Sequence, residues 1–412
     1  MGVNFKDLLI RVGTQADRTT KAASVVDFPI PADGDGLAGD IAVEELDTEH
    51  GTPTVLYSSS AARNFGSKSL KAWLFPVLAG TLMKNVLTRD ANGAQAFLTV
   101  EAWWGTNKLG SNTYKGSRRY GVVFDSLSLS VDLVGAPTSV EVDFSGWINR
   151  RENIAYTETT PTPTFSTLKP FKSSGVFVDF LTDKTLETYG GHNSDVRRFS
   201  LTFNNNGTVE VPTDNSTTPE LDKVWTVHTP GEVRATFEVT VALNAEKYLK
   251  PEQSIDVVQG AVRLAFVHEK ASKTTTTSTL TSGDNNDQTL LTAVTTGFAV
   301  GDVCFIQDTL GKFAVLPIKT VNAGVSLVFD TDTGGGTGYD SRVTLNGAVN
   351  GPLTIRNMTG GIIFDRLDFR GMTGPARDSK KRAVTLRYEA FLPYGATKAV
   401  EAHWYDHGTA HA

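Results

Sequence analysis

The chain lacks most of the marks that would place it in a large functional class. It has one cysteine, Cys304, so no internal disulfide can form. Cys304 sits in the apolar run 303–306, where a buried small hydrophobe is a simpler reading than a nucleophile. No stretch approaches the roughly 20 apolar residues of a membrane span. The opening residues, MGVNFKDLLIRVGTQADR, hold no apolar core long enough for a signal peptide, and Lys6 breaks the myristoylation pattern. The expectation is a protein made and kept in the cytoplasm until it is assembled, with idle glycosylation sequons at Asn206, Asn215 and Asn357. An excess of basic charge is also missing: 39 Lys and Arg stand against 45 Asp and Glu, a net charge of −6. That argues against a general nucleic-acid binder, which is usually basic.

Catalytic signatures are equally scarce. In residues 65–69, FGSKS, the glycine and lysine stand out of order for a phosphate-binding loop. The glycines at 334–338 follow no strand–helix junction that would aim amides at a pyrophosphate. No G-x-S-x-G elbow occurs. His50, His192, His228 and His268 are isolated from any Ser or Cys partner pattern. His403 and His407, with Asp406 between them, would share a helix face at i, i+4, but Gly408 argues for a tail and no third ligand can be named. Asp33, Asp35, Asp40 and Glu44 lack the spacing of a calcium loop and read as solvated charge. Carboxylates such as Glu44 with Glu45, or Glu401 with Asp406, lie in polar stretches. A β-rich glycosidase that draws two carboxylates from distant strands stays open as an alternative. No catalytic, cofactor-binding or metal-binding residue is assigned.

What is present is β pattern. The chain has 38 glycines and short runs of Thr, Ser and Asn, the composition of strands joined by turns. In GVVFDSLSLSVDLVGAPTSVEVDFSGW (Gly121–Trp147), Leu127, Leu129, Val131 and Leu133 fall on one face and Ser126, Ser128 and Ser130 on the other. A turn at Gly135–Pro137 leads to Val140, Val142 and Phe144. The segment Gly361–Leu392 repeats this plan: Gly361, Phe364, Asp365 and Leu367 match Gly121, Phe124, Asp125 and Leu127. Leu367 and Phe369 take its apolar face and Arg366, Asp368 and Arg370 its polar face. A turn at Gly371–Pro375 leads to Val384, Leu386 and Tyr388. Before each hairpin stands a predicted helix (Leu70–Leu87, Ala245–Val258) and a strand (Phe97–Trp104, Ala261–His268). The order helix, strand, hairpin thus occurs twice, as in a tandem duplication.

The expected organisation follows. Residues 1–39 form an extended N-terminal arm. Residues 40–165 form a first β domain that ends at a Pro/Thr linker, with strands at Ile41–Leu46 and Thr52–Tyr57 and a long exposed loop at 105–119 bearing Lys115, Arg118 and Arg119. Residues 166–270 and 346–412 form the second, with strands at Gly175–Phe180, Val196–Phe203, Val209–Pro212 and Val233–Leu243. Val233–Leu243 is the cleanest alternation in the chain. Residues 271–345 form a small inserted all-β module with strands at Thr289–Val294, Asp302–Gln307, Lys312–Pro317 and Ser326–Asp330. It is entered through the low-complexity stretch Lys273–Gln288, and as a loop insertion it should project outward.

This pattern resembles the tail tube proteins of long-tailed, non-contractile bacteriophages. Tyr120–Trp147 is similar to that family's strand pair, and VRRFSLTFNNN (Val196–Asn206) to the opening strand of its second copy. The resemblance covers roughly residues 40–270 and 350–395, and the module at 271–345 departs from it. It implies a mainly β fold of two tandem tail-tube-like half-barrel domains, each with one helix, and a structural virion protein rather than an enzyme. Such domains pair sheets between subunits, and two domains per chain would make a ring of three copies pseudo-hexameric. Rings stack into a tube that conducts DNA without specific binding, and partner with tape-measure, terminator and tip proteins. The polar faces at Ser126, Ser128, Ser130, Arg366, Asp368 and Arg370 would line the channel. The arm and the 105–119 loop would make ring-to-ring contacts. Another tail-tip or capsid-decorating β protein, and a carbohydrate-binding or carbohydrate-active β protein, are the alternatives.

Overall fold

The computed structural model describes residues 8–17, 20–28, 40–46, 57–64, 68–76, 85–86, 95–104, 114–147, 150–155, 157–159, 161, 169–187, 189–210, 227–229, 231–242, 258–271, 273–276, 280–282, 287–292, 294–330, 353–373, 383–390 and 400–404. They are mainly strand. The first half of the chain holds β1 (Leu8–Thr14), β2 (Val26–Phe28), β3 (Asp40–Leu46), β4 (Tyr57–Asn64), β5 (Lys68–Trp73), β6 (Leu98–Trp104), β7 (Tyr114–Asp132), β8 (Glu141–Trp147) and β9 (Arg150–Ala155). Then come β10 (Val176–Leu181), β11 (Val196–Asn204), β12 (Thr208–Glu210), β13 (Val227–Thr229), β14 (Arg234–Ala242) and β15 (Gln259–Val267). A third group is β16 (Lys273–Thr276), β17 (Leu280–Ser282), β18 (Asp287–Leu291), β19 (Val303–Gln307), β20 (Phe313–Asn322), β21 (Ser326–Asp330) and β22 (Leu353–Arg356). The chain closes with β23 (Thr359–Thr373), β24 (Ala383–Ala390) and β25 (Val400–Trp404).

Two long strands, β7 and β23, organise the pairing. Around β7, β1 pairs with β6, β6 with β7, β7 with β8 and with β9, and β5 with β8, all antiparallel. Around β23 the same scheme recurs: β10 with β15, β15 with β23, β23 with β24 and with β25, and β14 with β24. β11 joins the two sets, pairing with β14 on one edge and β7 on the other, so that one 14-stranded sheet runs through both.

Bulges fix how the two long strands correspond. In β7 the ladder to β6 shifts between Arg119 and Val122, and the ladder to β8 between Phe124 and Ser126. In β23 the ladder to β15 shifts between Phe364 and Leu367, and the ladder to β24 between Phe369 and Gly371. Both bulges therefore align Val122 with Leu367 and Ser126 with Gly371. The letter match of Gly121 to Gly361 is off by five positions (245 − 240) in register. The shared Phe-Asp-x-Leu spans a bulge in each strand, but not the same bulge. The two glycines answer different needs. Gly121 sits in its bulge at φ 57°, where glycine carries no steric penalty. A Cβ on Gly361 would come within 2.7 Å of the Val315 side chain on β20.

The sheet folds over one core. Alternation buries Leu127, Leu129 and Val131 of β7, Val142 and Phe144 of β8, Ala235, Phe237, Val239 and Val241 of β14, and Val384, Leu386 and Tyr388 of β24. Facing them are Val178 and Phe180 of β10, Val262, Leu264 and Phe266 of β15, and Phe364 of β23. Aromatic rings stitch the two walls: Phe237 lies 5.9 Å from Phe180, 6.1 Å from Phe199 and 6.4 Å from Phe364, and Phe203 stacks on Phe364 at 5.7 Å.

Several expectations change. Residues 70–73 of the predicted helix Leu70–Leu87 are the end of β5, because Lys71 and Trp73 pair with Asp143 and Glu141 of β8; only residues 85–86 are helical, and 77–84 and 87 lie outside the described residues. Almost all of the predicted helix Ala245–Val258 also lies outside them. Residues 8–14 and 26–28, read as arm, are sheet strands: Ile10 and Val12 are buried against Leu98 and Val100. Residues 114–119, read as loop, begin β7, with Arg118 and Arg119 buried.

The module does not project. Its seven-stranded sheet, in the order β16-β22-β19-β20-β21-β18-β17, reaches residue 356 and packs on the second face of β10, β15 and β23. Phe177 stands 4.8 Å from Phe305, and Leu181, Ala261 and Ile363 share a core with Leu316, Leu353 and Ile355. The reason is legible in β15, QGAVRLAFV, whose residues 260–267 are all buried: an apolar run without alternation needs cover on both faces.

Phe237→Ala, which empties the centre of the aromatic stitching, should cost about 3–5 kcal/mol. Urea unfolding followed by tryptophan fluorescence reads this as a lowered midpoint with an unchanged slope.

Candidate functional site

The feature that stands out is a polar sheet face. Seven adjacent strands, in the order β5, β8, β7, β11, β14, β24 and β23, turn one side to the core and the other to solvent. Register sets the rows of the solvent side. One row runs Lys71, Asp143, Ser128, Thr202, Thr236, Glu389, Asp368. The next runs Glu141, Ser130, Ser200, Glu238, Arg387, and a third Asp132, Arg198, Thr240, Thr385, Thr373. Thr240 and Thr385 hydroxyls meet at 2.9 Å across the β14–β24 pair.

Charges on this face are matched in place. Lys71 Nζ lies 2.8 Å from Glu141, Arg198 Nε 3.5 Å from Asp132, Arg370 Nε 3.2 Å from Glu389 and Arg366 Nε 3.3 Å from Asp368. Arg387 reaches both Glu389 at 3.4 Å and Glu238 at 3.9 Å. These exposed pairs contribute little to stability, at most about 1 kcal/mol each. Their effect is on the surface potential: each arginine of the rows has a carboxylate beside it, so the face is neutral at short range and densely hydroxylated.

The sequence-predicted polar residues all come to this face. Ser128, Ser130, Arg366 and Arg370 are exposed and Ser126 and Asp368 half-buried. What alternation could not supply was their joining: β11, β14 and β24 stand between the serines of β7 and the charges of β23. Other candidates fall away from it. Cys304 is fully buried, and burial pushes its thiol pKa up, away from nucleophilic use. His403 lies in β25, so the helical i, i+4 geometry does not arise; Asp406 and His407, like Asp33 and Asp35, are outside the described residues. Among the described residues no group of three or more His, Cys, Asp or Glu could hold a metal ion.

Sequence reasoning missed the buried charge on the opposite side of β1, β6 and β10. Arg11 of β1 stands opposite Glu101 of β6, at 3.9 Å, and is held by Asp27 at 2.8 Å. Glu101 also takes Arg118 Nε at 2.7 Å and Trp103 Nε1 at 2.9 Å. Arg118 carries Glu152 and Glu158 on its other nitrogens, at 2.5 and 2.8 Å, and Tyr120 donates to Glu152. Burial disfavours the Arg118 cation, but the hydrogen bonds from Glu158, Glu101 and Glu152 outweigh it and its pKa rises. Arg118 in turn holds Glu158 below its usual carboxylate range. The corresponding position in the β10–β15 pair holds the same couple with the signs exchanged: Asp179 faces Arg263, both buried. There Phe313 of the module and residues 189–191, between β10 and β11, cover it. The Arg263 guanidinium lies 5.0 Å over Tyr189 and 5.3 Å over Phe313, and Asp179 accepts from the Gly191 amide at 3.1 Å. Desolvation raises the Asp179 pKa to about 6.

No family model matches the chain, and none of the curated proteins compared with it matches either.

Asp179 is held above its unfolded pKa, so its native form binds a proton more readily than its unfolded form. Its contribution is fully present below about pH 4 and is lost as pH rises through about 6. The loss is on the order of 3 kcal/mol for a shift of this size. Asp179→Asn should flatten that part of the stability curve between pH 4 and 7 in urea titrations. An unchanged slope would assign it to other groups.

Proposed function

We propose that the chain is a structural subunit of a tail tube of the kind built by long-tailed, non-contractile phages. Three copies would form a pseudo-hexameric ring, and stacked rings would enclose a channel for DNA. The observation that carries this reading is the pairing scheme of β7 recurring around β23, with both joined by β11 into one sheet that has a single polar face. A wall of this type has an apolar side that demands cover and a wet side that tolerates a lumen. Closing it into a ring removes exposed sheet edges.

The chemistry of the wet side suits passage rather than capture. Affinity for a nucleic acid backbone comes from cations that displace its counterions. Here Arg198, Arg366, Arg370 and Arg387 each lie beside a carboxylate of the same face. Asp368 and Glu389, neighbours across β23 and β24, are each engaged by an arginine, which disfavours reading them as a hydrolytic pair. The N-terminal arm has a narrower role in this reading, because β1 and β2 belong to the subunit's own sheet.

Mass photometry and negative-stain microscopy of the purified protein test the proposal. Rings of three copies with a central hole, or stacked tubes, are the expected result; a lasting monomer that binds polysaccharide would overturn it. A second measurement addresses the lumen. Asp132→Lys with Glu238→Lys breaks the pairs with Arg198 and Arg387 and should lower unfolding free energy by about 1 kcal/mol each. In assembled tubes the pair should create salt-sensitive DNA retention that the parent lacks.

A further inference from the structure

A cleft of about 410 Å³ opens where three parts of the chain meet. Pro137 lines it from the turn between β7 and β8. Lys172, Ser174 and Phe177 come from β10 and the residues before it, and Val267 and Glu269 from the end of β15. Arg356, the last residue of β22, is the module's contribution. Small-molecule sites favour such junctions and have volumes of this order.

Arg356 sets the chemistry of the cleft. It is half-buried, its Nε is buried without a hydrogen-bond acceptor, and no carboxylate pairs with it among the described residues. Arg11 and Arg118 are answered differently, the first by Asp27 and the second by Glu101, Glu152 and Glu158. A buried donor left unmet is costly, and native structures keep few of them. Nearby, Lys169 and Lys172 share one carboxylate, Glu269, at 3.1 and 3.2 Å, so positive charge is in excess on this side too. His268 adds none. Burial lowers its pKa, its Nε2 donates to the Lys169 carbonyl at 2.7 Å, and its Nδ1 accepts from the Lys270 amide at 3.1 Å. Beside the cations lies apolar surface: Val267 is buried, and the half-buried Phe177 ring stands 4.8 Å from Phe305. We propose that the cleft binds a small amphipathic carboxylate, with its charged head on Arg356 and Lys172 and its apolar body on Phe177 and Val267. The planar fork of a guanidinium matches the two oxygens of a carboxylate, and the exposed Ser174 hydroxyl is a further donor. Bound there, the ligand ties the module, through Arg356, to the body of the subunit, through Lys172, and stabilises the folded chain by mass action. Such a site is independent of the tube reading.

Ligand-observed NMR on the full chain tests it with three probes. Benzoate has the charged head and the apolar body, benzamide is its neutral isostere, and inorganic phosphate is an anion without an apolar body. Benzoate should broaden on binding and saturate at about 1–10 mM, the affinity open to so small a ligand. Benzamide and phosphate should bind more weakly. Arg356→Gln should weaken benzoate binding about tenfold or more, the loss expected for a hydrogen bond to a charged group. Lys172→Gln should shift it in the same direction and carries the test if Arg356→Gln fails to fold by circular dichroism. Arg234→Gln, at an exposed arginine beside Glu232, should leave binding unchanged. Three outcomes overturn the assignment: benzoate does not bind, it binds the folded cleft variants as tightly as the parent, or benzamide or phosphate equals it.

Discussion

Backbone hydrogen bonding by β11 is the constraint on which the architecture depends. A long strand such as β7 exposes donors and acceptors along two edges, and each one buried without a partner costs about as much as a lost hydrogen bond. β11 satisfies the second half of β7 and the outer edge of β14 together, over Arg198–Asn204. It thereby turns two separately paired strand sets into one sheet. Because side chains alternate along each strand, this joining also aligns the faces: Phe199, Leu201 and Phe203 extend the apolar side between Val131, Leu129, Leu127 and Val239, Phe237, Ala235. The same operation extends the polar side, and the candidate lumen surface is its by-product.

The second face of each strand set poses a separate problem, and the protein solves it twice by different means. Around β1 and β6 the second face holds Arg11, Glu101, Trp103 and Arg118, tied into a network with Glu152 and Glu158 that satisfies the buried charges locally. Around β10 and β15 the equivalent couple, Asp179 and Arg263, is roofed by Phe313 of the inserted module and residues 189–191, with Phe177, Ala265 and Val267 making the apolar floor. Buried ion pairs of this sort are weak sources of net stability, because desolvation offsets the attraction; their consequence is that removing one member strands the other. The module is accordingly a structural cover as well as an insertion. Gly361 records this, since no side chain fits between β23 and Val315.

Much of the strand inventory was legible in the sequence, because strand alternation is a local property. Within Val233–Leu243 the predicted inward residues Ala235, Phe237, Val239 and Val241 are buried, as are Phe199, Leu201 and Phe203 of Val196–Phe203 and Leu127, Leu129 and Val131. Less legible were segments whose pattern is broken by what they touch. Tyr114–Arg119 read as loop because its charges looked solvated, yet Arg118 is buried among three carboxylates brought from β6, β9 and the residues after β9. Leu70–Trp73 fitted a helical spacing over too short a window, and pairing with β8 decided otherwise. The repeat was visible in letters, but its register was not. A bulge inserts a residue without leaving a mark that sequence comparison can place, and here the same four-letter phrase marks two non-equivalent bulges.

The sequence by itself determined which residues face an apolar interior and which face water, strand by strand, and that two segments share a hairpin plan. Those choices follow from side-chain transfer free energies along a backbone of period two, which need no knowledge of neighbours. Only the tertiary structure decided which strand lies beside which, how the two plans are offset, and that the module docks on β15 rather than standing clear. These depend on hydrogen-bond partners and packing surfaces far apart in the chain. Alternation is the same for every amphipathic strand and cannot choose among them.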